Sequence, residues 1–61
     1  MKNYEVHRIK YMFTPESTEK LREETEKLLN RKAAEGFRVV SVDFEQMASV
    51  GYIYAFIVLE R

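Results

Sequence analysis

The segment from Gly51 to Leu59 constrains the fold most, because it is apolar on both of its sides. Its β-branched and aromatic residues predict a β-strand, whose side chains point alternately to two faces. The small and aliphatic side chains share one face: Ile53, Ala55, Ile57 and Leu59. The rings and a valine share the other: Tyr52, Tyr54, Phe56 and Val58. A strand that is apolar on both faces is covered on both, so we expect it at the centre of a sheet.

The length of the chain, 61 residues, leaves room for one domain, residues 1–61, with one layer of helix on one layer of sheet. A domain of this size buries only about 60% of its unfolded surface and is marginally stable alone. Small scaffolds usually add disulfides, a metal or self-association. The sequence has no cysteine, which excludes a disulfide and a thiolate zinc site, so self-association is the device that remains.

The charges balance, because ten basic and ten acidic side chains give a formal net charge of zero. A dedicated nucleic-acid binder is expected to carry a basic excess, so nucleic acid is not an expected partner. No apolar run reaches the ~18 residues of a membrane span, and the N-terminus lacks the apolar core of a signal peptide. We therefore expect a soluble, cytoplasmic protein with no membrane partner.

Residues 2–13 predict the first strand, although the phase of its apolar residues changes near the middle. Tyr4 and Val6 share one face, whereas Ile9 falls on the opposite one. Either a β-bulge shifts the strand there, or both faces are partly buried. The second alternative is favoured, because the central strand already requires cover on both sides.

A helix is predicted from Pro15 to about Glu35, with Thr14 as its N-terminal cap. Gly36 should end the helix in the left-handed conformation, and Phe37 should pack back onto the last turn. A narrow stripe at steps of three and four residues should face the sheet: Leu21, Thr25, Leu28, Leu29 and Ala33.

A second strand is predicted from Arg38 to about Gln46, followed by a turn at residues 47–51. One of its faces is polar, as is typical of an edge strand: Ser41, Asp43 and Glu45. The turn makes strands two and three an antiparallel hairpin, and the helix makes strands one and two parallel. The predicted fold is therefore α+β, in β-α-β-β order, with a three-stranded sheet of order 1-3-2 and the helix on one face.

The other face of this sheet is left bare, and we predict that it forms the interface of a homo-oligomer, at least a dimer. Small aliphatic side chains suit close helix packing, which favours the Ile53 set on the helix side. Tyrosine carries a polar tip and suits interfaces. The predicted interface residues are therefore Tyr52, Tyr54, Phe56 and Val58.

The segment Glu35–Val42 (EGFRVVSV) resembles the "EGW-x-hydrophobic-Val-Ser-Val" signature of a family of short bacterial and bacteriophage domains of unknown function. Phe37 stands where that family usually has tryptophan. The start at Tyr4 and the end at Ile57–Arg61 also match the family's pattern. The resemblance implies a strand–helix–strand–strand fold and a bacterial or phage origin, and it transfers no catalytic residue.

The sequence shows no constellation of catalytic, metal-binding or cofactor-binding residues. His7 is the only histidine, and although it shares a strand face with Glu5, a metal site needs three or four ligands. The sequence has no cysteine, no serine in a glycine-flanked elbow and no glycine-rich phosphate loop. We therefore predict that the protein is not an enzyme, binds no metal and uses no cofactor.

A ligand site at the subunit boundary is one hypothesis from the edge strands. It groups basic and aromatic side chains: Arg8, Lys10, Arg38, Tyr4, Tyr11 and Tyr54. Such groups, converging between subunits, would hold a small anionic or nucleotide-like ligand. The alternative, which we favour, is that they are ordinary edge charges and interface tyrosines.

Three functional hypotheses follow from these patterns. The first is a non-enzymatic homo-oligomeric binding module, phage-encoded on the resemblance alone, that captures a small ligand or a host factor. The second is a protein-interaction subunit whose bare sheet face or exposed edge docks a different protein. The third is a weak enzyme or an RNA binder, since residues 51–57 resemble the aromatic strand of RNA-recognition sheets. It ranks last because the flanks carry no cluster of basic residues.

Overall fold

The computed structural model describes residues 2–47 and 49–61. Its elements follow the order β1 (Tyr4–Met12), α1 (Ser17–Ala34), β2 (Arg38–Met47) and β3 (Tyr52–Glu60). This is the predicted α+β fold in β-α-β-β order. Of the predicted turn at 47–51, Ala48 lies outside the described residues.

The sheet has the predicted order β1-β3-β2, with β3 antiparallel to both neighbours. The pairing of β1 with β3 is continuous from Tyr4 opposite Glu60 to Met12 opposite Tyr52. The phase change in β1 is therefore not a bulge, and its apolar residues do divide between two faces. A register shift occurs instead in β2, between Val39 and Ser41, where the sequence predicted regular alternation.

The core lies between the helix and one face of the sheet. The buried apolar residues are Leu21, Leu28, Phe37, Ile53, Ala55, Ile57 and Leu59. All of the predicted Ile53 set faces the helix, so this assignment is confirmed. Burial in β3 alternates strictly along the strand, as expected of a strand whose two faces differ in cover.

The start of α1 differs from the prediction, because Thr14 is not its cap. The helix begins at Ser17, and Glu16 occupies the cap position without a side-chain hydrogen bond to the helix. The Ser17 hydroxyl accepts a hydrogen bond from the Thr14 N–H and donates one to the Thr14 carbonyl, both at 2.9 Å. The buried hydroxyl of Ser17 thus closes the entry turn from inside the helix.

The end of α1 is a Schellman motif, as the sequence predicted. Gly36 has a φ of +92°, and its N–H donates to the Ala33 carbonyl at 3.0 Å. The N–H of Phe37 donates to the Lys32 carbonyl at 3.0 Å, and the Phe37 ring is buried. Two cations lie against that ring, Lys32 Nζ at 5.1 Å and the Arg61 guanidinium at 4.4 Å from its centroid.

The last position of the predicted helix stripe is wrong, because Ala33 is exposed. Lys32 continues the stripe in its place, four residues beyond the buried Leu28. Lys32 Nζ lies 2.8 Å from Glu5 Oε1 on β1 and 3.3 Å from Glu35 Oε1. An ion pair between helix and sheet therefore replaces the expected apolar contact.

Glu5 is the centre of this contact and gives the fold a defined response to acid. Its Oε1 atom also lies 2.8 Å from His7 Nε2. Lys32 first, and His7 second, lower the pKa of Glu5 below its ordinary value of 4.5. A carboxyl whose pKa is lower in the folded chain stabilises the fold fully above its unfolded pKa. That contribution is lost as the pH falls through the folded pKa.

We expect Glu5→Gln to flatten the loss of stability below a pH of about 4.5. The variant removes the Glu5 carboxylate, which is ionised in the folded chain and becomes protonated as the pH falls. The part of the stability that depends on this protonation is removed with it. The measurement is the urea midpoint as a function of pH for wild type and variant. Glu23→Gln, on the exposed side of α1, is the control and should follow the wild-type curve. A Glu5→Gln curve that also coincides with wild type would contradict this role of Glu5.

Candidate interaction surface

The side of the sheet that points away from α1 is called the open face. Along its centre lie the β3 residues Tyr52, Tyr54, Phe56 and Val58. They are half-buried by their neighbours, except that Phe56 is exposed. On β1 the open face adds three exposed large hydrophobic side chains, Tyr4, Val6 and Met12. No helix or strand of the described chain covers this face.

The rings on β3 form a continuous row. The Tyr54 and Phe56 rings stack, with centroids 5.9 Å apart and planes inclined by 19°, and the Tyr52 and Tyr54 centroids lie 6.4 Å apart. The Lys10 Nζ atom lies 4.7 Å from the centroid of Tyr52. Aromatic rings in contact along one strand present a large apolar surface with polar tips, which suits an interface.

Charge is divided between the two edges of the open face. Arg8 and Lys10 make the β1 edge basic, whereas Asp43 and Glu45 make the β2 edge acidic. The pairing register places these charges in two rows across the sheet. The rows are Arg8–Phe56–Asp43 and Lys10–Tyr54–Glu45. In each row, a ring on the central strand separates a base from an acid.

At one end of the open face, a single carboxylate is paired with two cations of the same chain. Glu60 accepts a hydrogen bond from Arg38 on β2, and its Oε1 lies 3.3 Å from Lys2 Nζ. Arg38 first, and Lys2 second, lower the pKa of Glu60. The charge of Arg38 is therefore already engaged.

Five of the six hypothesised ligand residues share the open face, but they are spread along it, with Tyr4 and Arg38 at the Glu60 end. The open face holds Arg8, Lys10, Arg38, Tyr4 and Tyr54, of which Arg8 and Lys10 lie nearest the ring row. Tyr11 lies on the helix side, packed against the core. Asp43 and Glu45 were not among the predicted site residues. Their alternation with apolar residues was visible, but only the register of the hairpin places them beside the rings.

A comparison with family models gives one match, to the domain of unknown function DUF4177, over residues 2–61. The chain belongs to the DUF4177 family. Comparison with curated proteins and with solved structures finds no significant match. Membership of DUF4177 agrees with the short domain of unknown function that the Glu35–Val42 segment resembles, and it assigns no activity to any residue.

Neither a metal-binding cluster nor a membrane-spanning helix is found in the described part of this DUF4177 domain. Across residues 2–47 and 49–61, no three carboxylate, histidine or cysteine side chains cluster as metal ligands would. In the same residues, no helix is both long enough and apolar enough to cross a membrane.

A second apolar surface of the DUF4177 domain lies on the helix side, between α1 and β2, and is called the α1–β2 groove. Phe44 on β2 is 60% exposed there. A cavity of about 310 Å³ is lined by Phe44, Phe13, Leu21 and Ile53, and a second of about 290 Å³ continues past Phe44 to Thr25. The buried Thr25 Oγ1 has no hydrogen-bond partner among the residues that the structure describes. The groove thus combines apolar walls with one unsatisfied polar atom.

Proposed function

We propose that this DUF4177 domain is a non-enzymatic binding module that forms a homodimer through its open face. The observation that carries the proposal is the uncovered row of Tyr52, Tyr54, Phe56 and Val58. Contiguous exposed apolar patches on small soluble domains mark interaction sites. Two such sheets, stacked face to face across a twofold axis, would bury both rows at once.

The dimensions of the domain are adequate for such a dimer. Its Cα atoms extend over 40 × 19 × 11 Å. The shortest dimension corresponds to the two layers of helix and sheet, and the other two dimensions are those of the broad side. A standard interface buries about 800 Å² per partner, so nearly the whole of the open face would take part. Stacking two copies would also give each marginal domain a second apolar layer, and this supplies the stabilisation that its length requires.

The charges of the open face favour a protein surface over an anion. A small anionic ligand beside Arg8 and Lys10 would also face Asp43 and Glu45 on the opposite edge. The phosphates of an RNA strand laid across the rings would meet the same two acids. A surface that carries both signs of charge matches the open face better. We therefore place the anionic-ligand and RNA hypotheses below self-association.

The factor that the dimer captures would bind at the α1–β2 groove, which lies on the other side of the sheet and stays accessible. The support is the exposure of Phe44 and the two cavities that lie on either side of it. A second candidate function, a protein-interaction subunit without self-association, would use the same groove or the edge of β2. A bacterial or phage origin, and hence a host factor as the target, belongs to this proposal on the Glu35–Val42 resemblance alone.

We expect Phe56→Asp to convert a dimer at micromolar concentration into a monomer. A carboxylate placed at the centre of an apolar interface loses its hydration, and such central positions typically contribute at least ~2 kcal/mol of binding. The measurement is sedimentation equilibrium across a concentration series, with circular dichroism as the check on folding.

Phe44→Asp is the matched control, since it introduces the same change on the helix side of the sheet and should leave the dimer intact. A wild-type chain that stays monomeric would refute the dimer and leave the interaction subunit as the surviving candidate. Dissociation by Phe44→Asp alone would place the contact on the wrong side of the sheet for this proposal.

A further inference from the structure

We infer that the two copies in the dimer are related by a twofold axis parallel to β3, so that β1 of each copy lies over β2 of its partner. This inference rests on the proposed function and specifies which residues meet across its interface. It is carried by the separation of charge on the open face, which is independent of the apolar row that supports the dimer itself.

The four charges in the middle of the open face have no ion-pair partner within the described chain, although Lys10 also contacts the Tyr52 ring. All are exposed, and none takes part in an ion pair among residues 2–47 and 49–61: Arg8, Lys10, Asp43 and Glu45. The outer strands of a three-stranded sheet are about 10 Å apart, and the rings of β3 stand between them. A base and an acid in one row are therefore kept apart by the fold that carries them.

A twofold axis parallel to the strands would bring these charges together. Rotation about such an axis, placed between two stacked sheets, exchanges the left and right edges and leaves the height along the strand unchanged. Arg8 then lies over Asp43 of the partner subunit, and Lys10 lies over Glu45 of the partner subunit. Each pair occurs twice, so the symmetry satisfies all of the central charges without any sliding of one sheet along the other.

The other symmetric arrangements lack this property. A twofold axis perpendicular to the strands, but still between the sheets, would lay β1 over β1 and oppose Arg8 and Lys10 to basic groups. It would likewise oppose Asp43 and Glu45 to acids, and such like-charge contacts are costly. An axis normal to the sheet would join two edges and leave the ring row uncovered.

The overlap of the charged rows between the two copies is compatible with the angle at which sheets usually stack. Aligned sheets cross at roughly 30°, which displaces rows at the strand ends more than rows in the middle. Arg8 is the midpoint of β1, Tyr4–Met12, and Phe56 is the midpoint of β3, Tyr52–Glu60. The charged rows therefore lie where the crossing angle changes their overlap least.

The test is a charge exchange between the edges, with the variant Arg8→Glu/Lys10→Glu/Asp43→Lys/Glu45→Lys. Under the inferred axis, this variant pairs with itself as well as wild type does. A mixed dimer, however, sets base over base and acid over acid. Wild type and an isotopically labelled variant are mixed, equilibrated and weighed by native mass spectrometry at low salt. When equal amounts are mixed, random pairing would make half of all dimers mixed. We expect the mixed fraction to lie well below one half at low salt, and to rise towards one half as salt screens the charges.

Each other outcome overturns the inference. An excess of mixed dimer would assign the axis perpendicular to the strands, because exchanged edges would then attract. Random pairing at low salt would mean that the charges do not meet. A wild-type chain that is monomeric at every concentration would instead overturn the proposed function, so the two failures are distinguishable.

A smaller pair of variants keeps the inference testable if the fourfold exchange does not fold. Lys10→Glu alone should weaken its own dimer by on the order of tenfold or more, and adding Glu45→Lys in the same chain should restore it. An axis perpendicular to the strands predicts no loss with the first change. The exchange Lys20→Glu/Glu23→Lys on the exposed side of α1 is the control and should leave the dimer unchanged.

Discussion

Replacing Ile57 with alanine should lower the free energy of unfolding by about 2–5 kcal/mol. Ile57 has 0% exposure and lies at the middle of the helix side of β3. Its register partners are His7 on β1 and Val42 on β2, so the truncated side chain would leave a cavity between all three strands and α1. A single core of this size rarely supplies more than about 3–5 kcal/mol, so most of the stability should be lost.

Val58→Ala is the matched control, because Val58 is the next residue on the same strand and points to the open face. Urea unfolding at a protein concentration low enough to keep the chain monomeric should show a loss of less than about 1 kcal/mol for this variant. If the open face pairs two copies, its loss should grow as the concentration rises, whereas the loss from Ile57→Ala should be large throughout. Equal losses at low concentration would contradict a one-sided core.

The strand order could be predicted because one segment, Gly51–Leu59, carries apolar residues on both faces. That property alone places β3 between β1 and β2, and the structure confirms the placement. The end of α1 was also predictable, since the chemistry of Gly36 and Phe37 is local to the last helical turn. Features that depend on a few neighbouring residues, or on the composition of a whole strand, are visible in a sequence.

One error arose where a distant residue decides the outcome. Periodicity assigned Ala33 to the helix stripe because alanine is apolar. Lys32 occupies that place instead, because its ammonium group forms an ion pair with Glu5 on β1. That contact joins segments that the sequence alone does not bring together. The error at the helix start is local, since the Ser17 hydroxyl, only three residues from Thr14, bonds to the Thr14 backbone and the helix begins at Ser17.

The rings and bases of the candidate site were predictable, whereas its two acids and its arrangement were not. The ring row and the basic residues of β1 were identified from their types and alternation. The position of Asp43 and Glu45 beside Phe56 and Tyr54 depends on how the hairpin of β2 and β3 pairs, and β2 contains an irregularity between Val39 and Ser41. A shift of one residue would move both acids to the helix side, so the charge division of the open face follows from register.

Replacing Gly36 with alanine should lower the free energy of unfolding by about 1–2 kcal/mol. Gly36 has a φ of +92°, in the left-handed region that residues with a Cβ atom rarely adopt. An added Cβ would meet only Arg61 Cδ, at the ordinary contact distance of 3.6 Å. The cost is therefore conformational and not a matter of space, and it should appear in the urea midpoint.

Gly36→Asn separates these two causes, because asparagine is larger than alanine but adopts the left-handed conformation more readily. We expect its loss of stability to be smaller than that of Gly36→Ala. The Gly36 and Phe37 amides should also exchange with solvent faster in the alanine variant, since both hydrogen bonds of the helix end depend on this conformation. A larger loss with asparagine would mean that crowding against Arg61, and not the backbone, decides the residue at this position.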